Sequence, residues 1–263
     1  MTELLQGVKA FILAGGFGTR LSEETAVVPK PMIEIGGRPL LWHLMKILGS
    51  QGLNDFVVAL GYKGEVIKRY FIEYPQIESN LHIDLARGKL HTDEQYGESW
   101  RVSLIDTGPQ TMTGGRLLRL REHFKSTILF TYGDGLSNIR LEALLRFHRS
   151  HGRLATVTAV RQPERFGILD IADDARVQGF SEKPEGAGAF INGGYFLLEP
   201  GVLDYLTGDD CIWEQEPCRR LAADGQLMAY RHEGFWQCVD TLHELRKLRD
   251  VWNAGAAPWK VWA

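Results

Sequence analysis

Short apolar runs alternate with longer amphipathic stretches through the first 160 residues, and this alternation narrows the fold more than any other feature of the chain. Residues 8–14, 55–60, 128–132 and 154–160 are rich in Val, Ile, Leu and Phe and read as strands buried on both faces. Between them, 39–51, 65–74, 116–124 and 138–151 carry apolar residues at helical spacing. Pro39 suits the first turn of its helix, Gly52 the end, and Pro75 closes the second helix. Residues 81–86 and 100–105 read as further strands around a polar insert. Such alternation implies right-handed βαβ units, hence an α/β protein with a mostly parallel sheet flanked by helices. After residue 160 the texture changes. Short strand-like runs at 166–171, 177–182, 190–198 and 227–231, with Gly-rich turns, predict an antiparallel or mixed extension of the same sheet. Helices are predicted at 213–223 and 241–253, and the aromatic tail at 255–263 packs on the body or on another subunit.

Ligands of such sheets sit outside the carboxyl ends of the strands. Two loops fall there. The first follows the opening strand: Leu13, Ala14, Gly15, Gly16, Phe17, Gly18, Thr19 and Arg20, with Lys30 held between Pro29 and Pro31 a little further on. Without Cβ atoms, glycine backbone N–H groups can approach an anion closely. Arg20 and the proline-braced Lys30 add positive charge, so the loop reads as a phosphate site. It is neither a dinucleotide fingerprint, whose third glycine would fall at Leu21, nor a P-loop. The second loop, Gly133, Asp134 and Gly135, follows the strand at 128–132. Asp134 is either a turn residue or, beside a triphosphate, a ligand of Mg2+.

Downstream residues complete the set. Asp240 is either the N-cap of the helix that follows or a second metal carboxylate, and sequence spacing does not show whether it meets Asp134. Lys183, before Pro184, is a held cation suited to a second phosphate, and Glu182 precedes it. Asn192 offers the donor and acceptor that sugar hydroxyls need. Gly193 and Gly194 are either a β-bulge or a place where a bulky ligand approaches the sheet. Thr111, Thr113, Gly115 and Arg116 open a helix whose N–H groups and guanidinium would face the base or the phosphates, or Thr113 simply caps it. No histidine has metal-ligand spacing.

The composition is compatible with this reading. The 263 residues carry a net charge of −3, from 30 basic and 33 acidic side chains, which argues against a nucleic-acid-coating protein. No apolar run approaches the roughly 20 residues of a membrane span, and the start lacks the basic region of a secretory leader. Three cysteines, none in a CxxC pair, read as reduced thiols of a cytoplasmic protein.

Together these motifs resemble the sugar-nucleotide pyrophosphorylases. The glycine loop with Pro29, Lys30 and Pro31 looks like the family signature; Gly133 to Gly135, Glu182 to Pro184 and Asn192 to Gly194 look like its metal, sugar-phosphate and sugar motifs in order. Residues 112–116 (Met-Thr-Gly-Gly-Arg) and 213–217 (Trp-Glu-Gln-Glu-Pro), with 234–237 and 257–260, make the likeness closer to the glucose-1-phosphate cytidylyltransferases. The resemblance implies a single Rossmann-like domain over 1–263. Its 1–160 half would bind mainly nucleotide, and its 161–263 half sugar and oligomer contacts. It implies transfer of CMP from CTP to α-D-glucose 1-phosphate, giving CDP-glucose and pyrophosphate, for CDP-linked deoxysugars of bacterial surface polysaccharide. Asp134 and Asp240 would hold Mg2+. Tyr132, Glu182, Lys183, Asn192, Gly193 and Trp236 would hold the sugar phosphate, and Arg20 and Lys30 the departing pyrophosphate. A homo-oligomer, a hexamer in the nearest relatives, is implied as well. Two departures stand out: Val28 where relatives often carry lysine, and Cys238 with Val239 just before Asp240. Alternatives are a transferase using UTP, dTTP or a mannose phosphate, a non-catalytic nucleotide-sugar regulator, and, more distantly, a dinucleotide oxidoreductase.

Overall fold

The computed structural model describes residues 4–18, 21, 25, 27–92, 97–161, 168–171, 176–181 and 189–262. In chain order the elements are β1 (Lys9–Leu13), β2 (Glu34–Ile35), β3 (Arg38–Pro39), α1 (Leu40–Gly49), β4 (Asp55–Leu60), α2 (Gly64–Ile77), β5 (Leu81–Asp84), β6 (Lys89–Thr92) and β7 (Arg101–Asp106). Then come α3 (Thr113–Arg119), β8 (Ile128–Tyr132), β9 (Gly135–Ser137), α4 (Leu141–His151), β10 (Ala155–Arg161), β11 (Ile168–Ile171) and β12 (Val177–Ser181). The last are β13 (Phe190–Leu198), α5 (Glu216–Ala223), β14 (Leu227–His232), β15 (Trp236–Cys238) and α6 (Leu242–Asn253).

Seven strands form the central sheet in the order β14-β10-β13-β8-β1-β4-β7. The pairs β1/β4, β1/β8, β4/β7 and β10/β14 are parallel. Only β13 runs against its neighbours β8 and β10, which makes the sheet mixed but mostly parallel, as expected. The alternating side chains of β1 explain why it is central. Ala10 and Ile12 enter the core under α1, α2 and α4, with Leu44, Leu48, Ile67 and Leu144. Phe11 and Leu13 enter the opposite core with Leu117, Phe124, Trp213 and Leu221. A strand apolar on both faces can be stable only with helices on both sides, and that is what the chain supplies. A third apolar cluster joins Leu136, Val239, Leu245, Leu248 and the fully buried Trp259, so the aromatic tail docks on the body.

Several expectations are corrected. Helix α2 does not stop at Pro75 but runs to Ile77 with the proline inside its last turn. Helix α3 begins at Thr113 rather than 116, α4 at Leu141 rather than 138, and α5 at Glu216 with Pro217 in its first turn. The polar insert carries its own strand, since β5 pairs with β6 as a separate hairpin while β7 alone joins the main sheet. Four further short strands were not anticipated, β2 and β3, which pair with each other, and β9 and β15. β9 and β15 pair antiparallel, Gly135 opposite Cys238 and Ser137 opposite Trp236.

Candidate active site

The carboxyl ends of β1 and β8 lie side by side, Leu13 in register with Tyr132. A cavity of about 470 Å3 opens over them. The whole stretch from Leu13 to Gly18 lines it, as do Lys30, Thr111, Arg116, Tyr132, Gly133, Asp134 and Asp240. Glycine is required at three of these positions, one of them Gly15, where a Cβ would stand 2.3 Å from Arg116 Nη1. Gly18 has a left-handed φ of +63°, and a Cβ there would stand 2.8 Å from Thr25 Cγ2. A Cβ on Gly133 would stand 2.9 Å from Pro31, so the loop after β8 lies flat against the proline that follows Lys30. The Gly133 N–H donates to Leu13 O at 3.0 Å. Lys30 and Asp134 are thereby brought to one point.

The carboxylates meet because of the unexpected ribbon. Pairing of β9 with β15 sets Asp134 and Asp240 just beyond facing residues, and Val239 N–H donates to Asp134 O at 3.1 Å. Thr241, not Asp240, caps α6, in a reciprocal box with Glu244. The Glu244 carboxylate also accepts from the backbone N–H of Asp240 at 2.8 Å. The Asp240 side chain, not needed as a cap, turns to Lys30. The ammonium lies 2.6 Å from Asp134 Oδ2 and 2.7 Å from Asp240 Oδ1. Burial opposes charge on Lys30, but Asp134 and Asp240 outweigh it and hold the ammonium above the ordinary lysine value. Cys238 Sγ stands with the two carboxylates, the three groups within 4.8 Å of one another. Burial and the neighbouring Asp134 push this thiol well above its usual range, so it stays protonated. The donors suited to a hard divalent cation are the oxygens of the two carboxylates.

Arg116 lines the cavity, but its guanidinium donates to groups of the protein itself. It donates to Leu60 O at 2.9 Å, Thr107 Oγ1 at 2.7 Å, Gly108 O at 2.8 Å and Gly15 O at 3.0 Å. It thus ties the glycine loop to the ends of β4 and β7. Gly115 does not line the cavity; a Cβ there would stand 2.5 Å from Asp209 O, so this glycine serves the packing of α3 on the 209–211 segment. Thr113 does not cap α3 with its side chain but donates to Glu214 Oε2 at 2.7 Å. The other Glu214 oxygen accepts from the Tyr132 hydroxyl. Burial and the Glu214 charge push the Tyr132 phenol upward, so it acts as a donor.

A second cavity of about 240 Å3 adjoins the first and shares Tyr132, Asp134 and Asp240 with it. Asn192, Gly193, Gly194 and Trp236 line it. The register of β10 against β13 breaks here, so Gly193 and Gly194 are a β-bulge as well as a cavity wall. Thr19, Arg20, Glu182 and Lys183 lie outside the described residues. Two functional candidates escaped the sequence reading. Glu214 had no motif of its own beyond its segment, whereas Glu244 was legible as the third residue after Thr241, the spacing of a capping box.

Glycine backbone facing a cavity at the carboxyl rim of a parallel sheet, with two carboxylates and a lysine at its edge, defines the class of phosphate-handling α/β proteins. The chain belongs to the nucleotidyl transferase family, whose profile residues 9–249 match. It is 50% identical to the glucose-1-phosphate cytidylyltransferase of Salmonella typhi over 257 residues, covering 97% of this chain and all of the relative. It is 45% identical, with the same coverage, to the probable glucose-1-phosphate cytidylyltransferase of Bacillus subtilis. Among solved structures, HddC from Yersinia pseudotuberculosis superposes with a TM-score of 0.70 at 22% identity, covering 93% of this chain and 99% of that one, and so shares the fold.

Proposed function

We propose that this chain transfers CMP from CTP to α-D-glucose 1-phosphate, releasing CDP-glucose and pyrophosphate. The observation that carries the reading is the pair of adjoining cavities with Asp134 and Asp240 at their junction. One cavity suits a triphosphate and the other a sugar phosphate, and the carboxylates lie between. The choice of cytosine and glucose follows the end-to-end identity with the cytidylyltransferases. A phosphate oxygen of glucose 1-phosphate attacks the α-phosphorus of CTP. The new P–O bond forms as the bond to the bridging β-phosphate oxygen breaks, and its electrons leave with pyrophosphate. The nucleophile is already an anion, so no general base is needed, and positioning with charge neutralisation lowers the barrier. The glycine loop from Leu13 to Gly18 offers backbone N–H groups to the triphosphate. Lys30 and Arg20 neutralise charge gathering on the leaving pyrophosphate. Lys183 and Glu182 hold the attacking sugar phosphate, and Asn192, Gly193 and Trp236 the sugar. Mg2+ held by Asp134 and Asp240 supplies Lewis-acid polarisation of phosphate oxygens when bound.

The 1–160 half serves nucleotide and the 161–263 half sugar. A cytoplasmic homo-oligomer, a hexamer by resemblance, feeding CDP-deoxysugars into surface polysaccharide belongs to the same reading; no helix among the described residues is long and apolar enough to cross a membrane. The test is purified protein with Mg2+, glucose 1-phosphate and each nucleoside triphosphate in turn, reading pyrophosphate. Release fastest with CTP is expected. Release fastest with UTP or dTTP overturns the base assignment, and no release with any pair overturns the enzyme.

A further inference from the structure

We propose that Lys30 and the divalent cation compete for the same two carboxylates, so that the cation enters with the nucleotide and not before it. The inference rests on the reading of Asp134 and Asp240 as the cation's ligands. The Lys30 ammonium bridges Asp134 Oδ2 and Asp240 Oδ1 at 2.6 and 2.7 Å, and its side chain, 12% exposed, is the most enclosed of the three. A cation held by Asp134 and Asp240 would draw on the same two carboxylates that the ammonium now bridges. Coulomb repulsion opposes two cationic centres on that one pair, and each would weaken the hold of the carboxylates on the other.

The backbone of Lys30 cannot withdraw to make room. Pro29 and Pro31 flank it, and residues Lys30–Met32 form a 3-10 turn whose Ile33 N–H closes onto Lys30 O. Gly18 packs against the Lys30 stem, where an added Cβ would stand 3.3 Å from Lys30 Cβ, and Gly133 packs against Pro31. A displaced ammonium therefore moves only by its side-chain torsions and stays in the first cavity, whose wall it shares with Gly15 and Gly16. With a triphosphate there, the ammonium exchanges two carboxylates for phosphate oxygens. Without one, it gives up its two partners inside a partly buried site and faces a dication. Nucleotide thus raises metal affinity, and by reciprocity metal raises nucleotide affinity by the same factor.

Mn2+ binding without nucleotide, read by electron paramagnetic resonance of the free ion, tests this. The unsubstituted chain should bind Mn2+ weakly. Lys30→Gln, which keeps the stem but removes the charge, should bind it at least about tenfold more tightly. Lys30→Arg should stay as weak as the unsubstituted chain. A Lys30→Gln protein that binds Mn2+ no more tightly overturns the proposal. Should that variant not fold, the unsubstituted chain gives a second measurement. Saturating Mn2+ should speed acylation of Lys30 by an amine-reactive ester, followed by mass spectrometry against the other lysines. An unchanged Lys30 rate also overturns it. Neither experiment contains sugar phosphate or CTP, so a wrong base or sugar leaves both outcomes readable.

Discussion

The indole N–H of Trp236 donates to the carbonyl oxygen of Gly193 at 2.7 Å, joining the β9/β15 ribbon to the bulge of β13 across the floor of the smaller cavity. Trp236→Phe keeps most of the apolar area and deletes this bond. The expected outcome is a several-fold rise in KM for glucose 1-phosphate with KM for the nucleotide nearly unchanged, measured by pyrophosphate release. Gly193→Ala should be worse, because the new Cβ would meet Val160 Cγ1 at 2.7 Å and Thr158 O at 2.9 Å. A loss of about 1–3 kcal/mol in stability, read by denaturant titration, follows from such overpacking.

Asp134→Asn keeps the size of the side chain and removes one anionic ligand. Turnover should fall by about two to three orders of magnitude, with the melting temperature little changed. Near-normal turnover in steady-state assays would show that Asp134 does not hold the cation.

Arg116→Met removes a guanidinium that is only 4% exposed and leaves the carbonyls of Leu60, Gly108 and Gly15 without that donor. About 3 kcal/mol of stability should be lost, and KM for the nucleotide should rise as the glycine loop loses its tie to β4 and β7. Thermal unfolding and steady-state kinetics together distinguish this from a purely structural defect, which would leave KM in place.

His43 gives a pH signature. Its ring is fully buried against Trp42, Trp252, Trp259 and Trp262. Nε2 donates to Ile35 O at 2.8 Å, and Nδ1 accepts from the Trp259 indole at 3.4 Å. Burial, with Arg38 nearby, lowers its pKa from 6.5 to about 4 against the Ile35 bond. The unfolded chain therefore binds the proton more readily, so this contribution is complete above pH 6.5 and is lost as pH falls toward 4. Its size is about 3 kcal/mol. Denaturant midpoints should fall over that window with a rise in tryptophan exposure, and His43→Gln should flatten the fall.

How much of this was legible follows from which interactions are local. The strands at 55–60 and 128–132 match the structure residue for residue because apolar β-branched runs ended by Gly61 and Gly133 leave little choice. The glycine loop and Lys30 were legible for the same reason: the residue types themselves limit the backbone. The meeting of Asp134 with Asp240 was not, because a two-strand ribbon of three residues each carries no periodicity and its partners are about 100 positions apart. The packing role of Gly115 and the carbonyl contacts of Arg116 depend on the 209–211 segment and on β4, neither of which the local sequence names. Pro75 misled because a residue without an N–H ordinarily ends a helix, whereas here the chain stays helical for two residues beyond it.

The ribbon of β9 and β15 has a consequence for how the carboxylate pair tolerates change. Asp134 and Asp240 each sit one or two residues outside a backbone ladder, and strands in a ladder lie about 4.8 Å apart whatever side chains they carry. The gap offered to a cation is thus gauged by main-chain geometry. Residues of the smaller cavity can drift to suit another sugar while that gauge keeps its setting; a one-residue slip of the ribbon would bring Val239 to the place of Cys238 and disarm the centre at once.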